Sequence, residues 1–180
     1  MNEPFSLIPN EAIRQLAVNE IVRCNETSLQ YGLVLKETDA VELADTRREA
    51  LDKLGRIEFS GGAITKLITG FCDSPYLTQS NYAETLHELV EAFYYFKNET
   101  LDEVDDDDLI EAMKRYFDET CRGSLDLLET RDLENLARKL RYGFMSQDDF
   151  SGDIDDYSKE FDDFSGDFFS LYREFEPFEE

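Results

Sequence analysis

Apolar residues recur along most of the chain at helical, not alternating, spacing. The clearest run lies between 80 and 97, where Tyr82, Leu86, Leu89, Val90, Phe93 and Phe96 are spaced by three and four. That spacing predicts a helix with a broad apolar stripe. Leu109, Ile110, Met113, Phe117 and Cys121 predict another, from Asp105–Asp108 to Gly123. Leu133, Leu136, Ala137 and Leu140 predict a third, from about Thr130 to Tyr142 with Gly143 after it.

Towards the N-terminus, residues 1–9 read as a lead-in containing Pro4 and Pro9. A helix is expected from near Asn10, a good N-cap residue. Ile13, Leu16, Ala17, Ile21 and Cys24 follow at helical spacing, interrupted by Glu20. The next helix starts near Thr38 or Asp39, where Asp39 and Glu42 form a variant capping box. Val41, Ala44, Arg48, Leu51 and Leu54 mark its inner side, and Gly55 stops it. Gly61-Gly62 breaks the chain before Ile64, Leu67, Ile68 and Phe71, a further helix.

The fold class expected is therefore all-α, with about six helices in an irregular orthogonal or bundle-like array. Residues 33–35 and 56–59 leave room for one very short β-hairpin. The expected core is Ile13, Leu16, Ile21, Leu51, Leu54, Ile64, Leu67, Ile68, Phe71, Leu86, Leu89, Val90, Phe93, Ile110, Met113, Phe117, Leu136 and Leu140.

Charge changes the picture. Across 180 residues, 42 Asp and Glu face 18 Lys and Arg, a net charge of −24. Phosphates and anionic membranes repel such a surface, so direct nucleic-acid and membrane binding are not expected, whereas a basic protein surface is attracted. No apolar run approaches the roughly 20 residues of a membrane helix. The start has no basic, apolar pattern of a secretory signal. Cys24, Cys72 and Cys121 are odd in number and widely spaced. They read as reduced thiols, and the expected location is the cytoplasm. With no C-x-x-C and His87 as the one histidine, no zinc site and no cofactor is expected.

Composition shifts after Met145, dividing a helical acidic domain, 1–145, from an acidic aromatic tail, 146–180. The tail holds 13 acids, two bases and nine aromatics, net −11, leaving −13 on residues 1–145. Asp-Asp-Phe-Ser-Gly-Asp occurs twice, at 148–153 and 162–167. Phe161, Phe164, Phe168, Tyr172 and Phe175 follow helical spacing, with Asp162, Asp163 and Asp167 among them. Three fates stay open: an amphipathic segment folding into a partner groove, a cover for an apolar face of its own domain, or a disordered binding region. Gly152 and Gly166 each cost about 1 kcal/mol in a helix, which weakens folding unaided.

Other clusters have plainer readings. Asp105–Asp108 lacks the glycine and closing glutamate of an EF-hand and reads as acids favoured at a helix N-terminus. Asp153, Asp155 and Asp156 fail the same test. Gly61-Gly62 precedes Ala63-Ile64-Thr65-Lys66, the wrong order for a phosphate loop, and reads as a tight turn. His87 is a structural or surface histidine unless a nucleophile or carboxylate folds beside it. Cys72, Asp73, Ser74 and Tyr76 flank Pro75 and form a candidate functional turn. A helix C-terminus does not activate the Cys72 thiol, however, so the plainer role is a helix-ending turn with Asp73 or Ser74 as a cap.

Tyr31-Gly32-Leu33, Gly55-Arg56-Ile57-Glu58-Phe59, Phe71-Cys72-Asp73-Ser74-Pro75-Tyr76, Phe93-Tyr94-Tyr95-Phe96-Lys97-Asn98-Glu99 and Gly123-Ser124-Leu125 occur in this order. Together they resemble a small bacterial family of unknown function over roughly residues 30–142. The resemblance implies a helical bacterial cytosolic protein and carries no functional residues with it.

The leading expectation is a non-enzymatic binding protein that occupies a basic surface of a partner. A dense array of carboxylates can imitate nucleic-acid phosphates, as inhibitors of the anti-restriction or anti-CRISPR type do. The alternatives are an adaptor whose tail aromatics dock in a partner groove, and an enzyme of unrecognised type using the Cys72–Tyr76 turn with His87. Oligomeric state is not legible.

Overall fold

The computed structural model describes residues 10–58, 62–100 and 104–141. Among these the fold is all-α. The principal helices are α1 (Asn10–Arg23), α3 (Glu37–Leu54), α4 (Gly62–Phe71), α5 (Tyr82–Glu99), α6 (Asp106–Arg115) and α8 (Glu134–Arg141). Short turns α2 (Asn25–Ser28) and α7 (Leu125–Leu127) connect them. Two π-helical segments, Tyr116–Thr120 and Leu128–Leu133, extend the last third of the fold.

Helix α5 is the hub. It packs on α3, α4, α6, α7 and α8, while α1 closes the other side of α3. Its stripe of Tyr82, Leu86, Leu89, Val90, Phe93 and Phe96 is buried throughout. Each such side chain contributes about 1.5–3 kcal/mol of transfer free energy. Ile64, Leu67, Ile68 and Phe71 of α4 are fully buried, as are Leu109 and Met113 of α6. Phe117 meets Phe71 edge-on, with ring centroids 5.7 Å apart.

Two faces differ from expectation. On α1, Ile13 and Leu16 are exposed, and Ala17, Val18, Ile21 and Cys24 point inward. The inner line runs through Val18 and Ile21, and Arg14 pairs with Asp45 on α3 at 2.6 Å. At about 100° per residue, Leu16 lies on nearly the opposite side from Val18. On α3 the buried line is Ala40, Leu43, Ala44, Arg47 and Leu51. Arg47, not Arg48, faces inward, and Leu54 is half-buried. Leu140 of α8 is half-buried as well.

Helix boundaries follow local chemistry. Helix α3 starts at Glu37, and the Asp39 carboxylate accepts the Lys36 backbone N–H at 2.9 Å. Asp39 is thus the third helical residue reaching back to the cap, not the cap itself. Gly55, at φ +64°, ends the helix, with the Arg56 N–H bonded to the Leu51 carbonyl. Asp105 caps α6 by accepting the Asp107 N–H at 3.0 Å. Lys66 pairs with Asp107 and Lys97 with Asp106, so two of the four carboxylates at this helix start are matched by lysines.

The short hairpin does not form among the described residues. Side-chain amides take the place of a partner strand. Asn25 accepts the Leu35 N–H at 2.8 Å and donates to its carbonyl at 2.9 Å. Gln79 does the same for Val34, at 2.7 and 2.8 Å. These bonds satisfy backbone groups that otherwise call for a ladder.

Candidate functional site

Helix α5 is amphipathic, and its outer side carries Glu88, Glu91 and Tyr95, spaced by three and four, on one stripe. The second π segment and the start of α8 run past this stripe and bring Glu129, Thr130 and Glu134 to it. The result is a groove of about 370 Å³ between Glu91 and Tyr95 on one wall and Glu129, Thr130 and Glu134 on the other, floored by Ala92 and Phe96. A π turn holds more residues per turn than an α turn and re-aims the side chains it carries. Glu129 and Thr130 both lie in that turn.

The electrostatics are one-sided. Burial, together with the nearby carboxylates of Glu88, Glu91 and Asp126, raises the pKa of Glu129 above the ordinary carboxylate value. Among the described residues it is the one carboxyl displaced upward. Asp45 and Asp105 are displaced downward, by the Arg14 hydrogen bond and by the Asp107 backbone N–H. None of Glu88, Glu91, Asp126, Glu129 or Glu134 forms an ion pair among the described residues. Tyr95 is 57 % exposed above them, edge-on to Phe96 at 4.9 Å between centroids. This arrangement suits a cation that also carries apolar surface.

The sequence-derived turn forms, but as a staple. Ser74 is buried and donates to the Asp118 carboxylate of the first π segment at 2.5 Å. Lys114 of α6 bridges Asp118 and Asp73 at 2.5 and 2.9 Å. Tyr76 packs edge-on against Phe117, with ring centroids 6.3 Å apart. The serine hydroxyl therefore faces a carboxylate already paired with a lysine. Burial raises the Cys72 thiol, and Asp73 adds to the effect.

His87 stands elsewhere in the fold. Its Nδ1 is hydrogen-bonded to Thr46 at 2.8 Å, and its Nε2 lies 4.0 Å from Glu42, both on α3. Neither partner belongs to the Cys72–Tyr76 turn. The three cysteines are free and buried. Among the described residues no cluster of three His, Cys, Asp or Glu is placed to hold a metal ion. Nor is any helix there long and apolar enough to cross a membrane. Phe161, Phe164, Phe168, Tyr172, Phe175, Asp162, Asp163 and Asp167 lie outside the described residues.

Sequence reasoning missed the groove. The polar side of α5 was legible as Glu88, Glu91 and Tyr95 at helical spacing. Their meeting with Glu129 and Glu134 depends on a contact between segments about forty residues apart.

No curated protein and no solved structure matches the chain. A protein-family model does match, over residues 20–146, and by that match the chain belongs to DUF6323, a family of unknown function.

Proposed function

We infer that this protein is a non-enzymatic acidic binding protein that occupies a basic surface of a partner protein, acting as a nucleic-acid mimic. The observation that carries the reading is the groove that brings Glu91, Glu129 and Glu134 together from two segments, none of them in an ion pair among the described residues. Carboxylates placed together without cations raise one another's free energy, and a basic partner relieves that cost. The net charge of −24 extends the attraction beyond the groove and speeds encounter.

Mimicry has a direct test. A synthetic arginine-rich peptide is bound to labelled duplex DNA, and the full-length chain is titrated in. Displacement of the DNA, weakening as salt rises from 50 to 300 mM, is the expected result, because exposed charge contacts are screened. No displacement, or displacement indifferent to salt, contradicts the reading.

A further inference from the structure

The groove narrows the chemistry of the partner beyond its sign. We propose that it takes a single arginine side chain from a basic partner segment, with the guanidinium stacked on Tyr95 and held between carboxylates from both walls. The inference rests on the binding function proposed above and deepens it.

Three features select arginine. First, the floor is apolar: Ala92 and Phe96 line it, both almost fully buried. A bare metal ion gains nothing from such a floor, and no three ligating groups among the described residues are placed to hold one. A long side chain with a methylene stem gains contact along its length. Second, Tyr95 stands more than half in solvent at the rim, its ring perpendicular to Phe96 within 3°. A planar guanidinium stacks on an aromatic face better than a compact, strongly hydrated ammonium does. Third, the carboxylates come from two directions. Glu91 lies one turn before Tyr95 on α5, and Glu129 and Glu134 lie on the opposite wall. Arginine presents five donors in a fixed fork and can meet both walls at once. Bound charge also offsets the part of the Glu129 shift that its neighbouring carboxylates add to burial.

The test uses isotope-labelled full-length protein and three short probes. They are N-acetyl-Gly-Arg-Gly-amide, its lysine counterpart and its uncharged citrulline counterpart. Each carries at most one charge, so general attraction to an acidic surface stays weak. The arginine peptide is expected to shift the amides of Tyr95, Glu129 and Thr130 saturably. Its affinity should be at least about threefold tighter than that of the lysine peptide. Citrulline should give no saturable response. Tyr95→Ala should abolish the preference for arginine over lysine, and Tyr95→Phe should keep it. Equal responses to arginine and lysine, shifts scattered away from the groove, or a preference that survives Tyr95→Ala each overturn the proposal. A multiply charged arginine-rich peptide separates the two levels. If it binds with salt dependence while the single-arginine probe misses the groove, the arginine site falls and the acidic binding function stands. If neither binds, both fall.

Discussion

Arg47 of α3 and Glu58, beyond the end of the same helix, meet at 3.1 Å, and the same Glu58 oxygen accepts the Tyr94 hydroxyl at 2.7 Å. Arg47 is 6 % exposed and Tyr94 only 1 %. This polar group ties the segment after α3 to the hub helix. Removing one partner of a buried charge is costly because the other keeps its desolvation penalty. Glu58→Ala is therefore expected to lose about 2–3 kcal/mol in urea unfolding. Tyr94→Phe, which removes one neutral donor, should lose about 1 kcal/mol. Equal losses would show that the ion pair contributes little.

Gly123 and Gly55 separate strain from collision. Both have positive φ, +83° and +64°. A Cβ at Gly123 would lie 2.6 Å from the Tyr76 side chain, whereas one at Gly55 meets nothing within 4 Å. Gly55→Ala should cost about 1 kcal/mol from backbone strain alone. Gly123→Ala should cost at least about 2 kcal/mol, because Tyr76 must also leave its place against Phe117. Tyr76→Gly, which removes the colliding Cβ together with the ring, should narrow the difference between the two glycine variants when combined with each. Thermal unfolding of six proteins, the wild type and the Tyr76 variant each alone and with either glycine substitution, checks this.

The sequence made the hub legible and the register of its neighbours less so. Helix α5 was readable because six large apolar residues share one stripe and nothing polar competes. On α1, Ile13 and Leu16 carried the same signal yet are exposed, because Ala17, Val18, Ile21 and Cys24 form the line that is buried. Periodicity alone does not choose between the line through Ile13 and Leu16 and the one through Val18 and Ile21. On α3, Arg47 and Arg48 are adjacent and alike, and it is Arg47 that lies on the buried line with Leu43, Ala44 and Leu51 and meets Glu58. The extended residues Val34 and Leu35 were recognisable, but their partners, Gln79 and Asn25, are side chains with no strand signature. The groove was least legible, since its walls meet only in the folded chain and a π segment aims one of them.

Two carboxylates should answer pH in opposite senses. The Arg14 hydrogen bond lowers the pKa of Asp45, so the stability from this pair is present at neutral pH. It is lost as pH falls through the lowered value. Burial and neighbouring acids raise Glu129, so its cost is absent at low pH and appears as pH rises through the raised value. Glu129→Gln should therefore stabilise the fold at pH 7 by about 0.5 kcal/mol and be neutral near pH 3. Asp45→Asn should destabilise at pH 7 and converge with the wild type under acid. Melting curves at both pH values test the signs. A Glu129→Gln variant less stable than wild type at pH 7 contradicts the crowding.

The thiols should be silent in the native state. Burial, with Asp132 2.9 Å from the Cys121 sulfur, pushes that pKa up to about 12, and burial pushes Cys24 to about 11. At pH 8 the Cys121 thiolate fraction is then about one in ten thousand. A disulfide reagent should label the three cysteines only as fast as the protein unfolds. Rapid labelling of folded protein at any of them would contradict their buried placement.

The groove can be set against general negative charge in one comparison. The dissociation constant of an arginine-rich peptide is measured for the wild type, for Glu91→Gln/Glu129→Gln/Glu134→Gln, and for Asp162→Asn/Asp163→Asn/Asp167→Asn, which removes the same charge from the tail. The groove variant should bind at least about tenfold more weakly, about 1.4 kcal/mol, and the tail variant less than about threefold. Equal losses in the two variants, or none in the groove variant, would contradict a basic-partner site on α5.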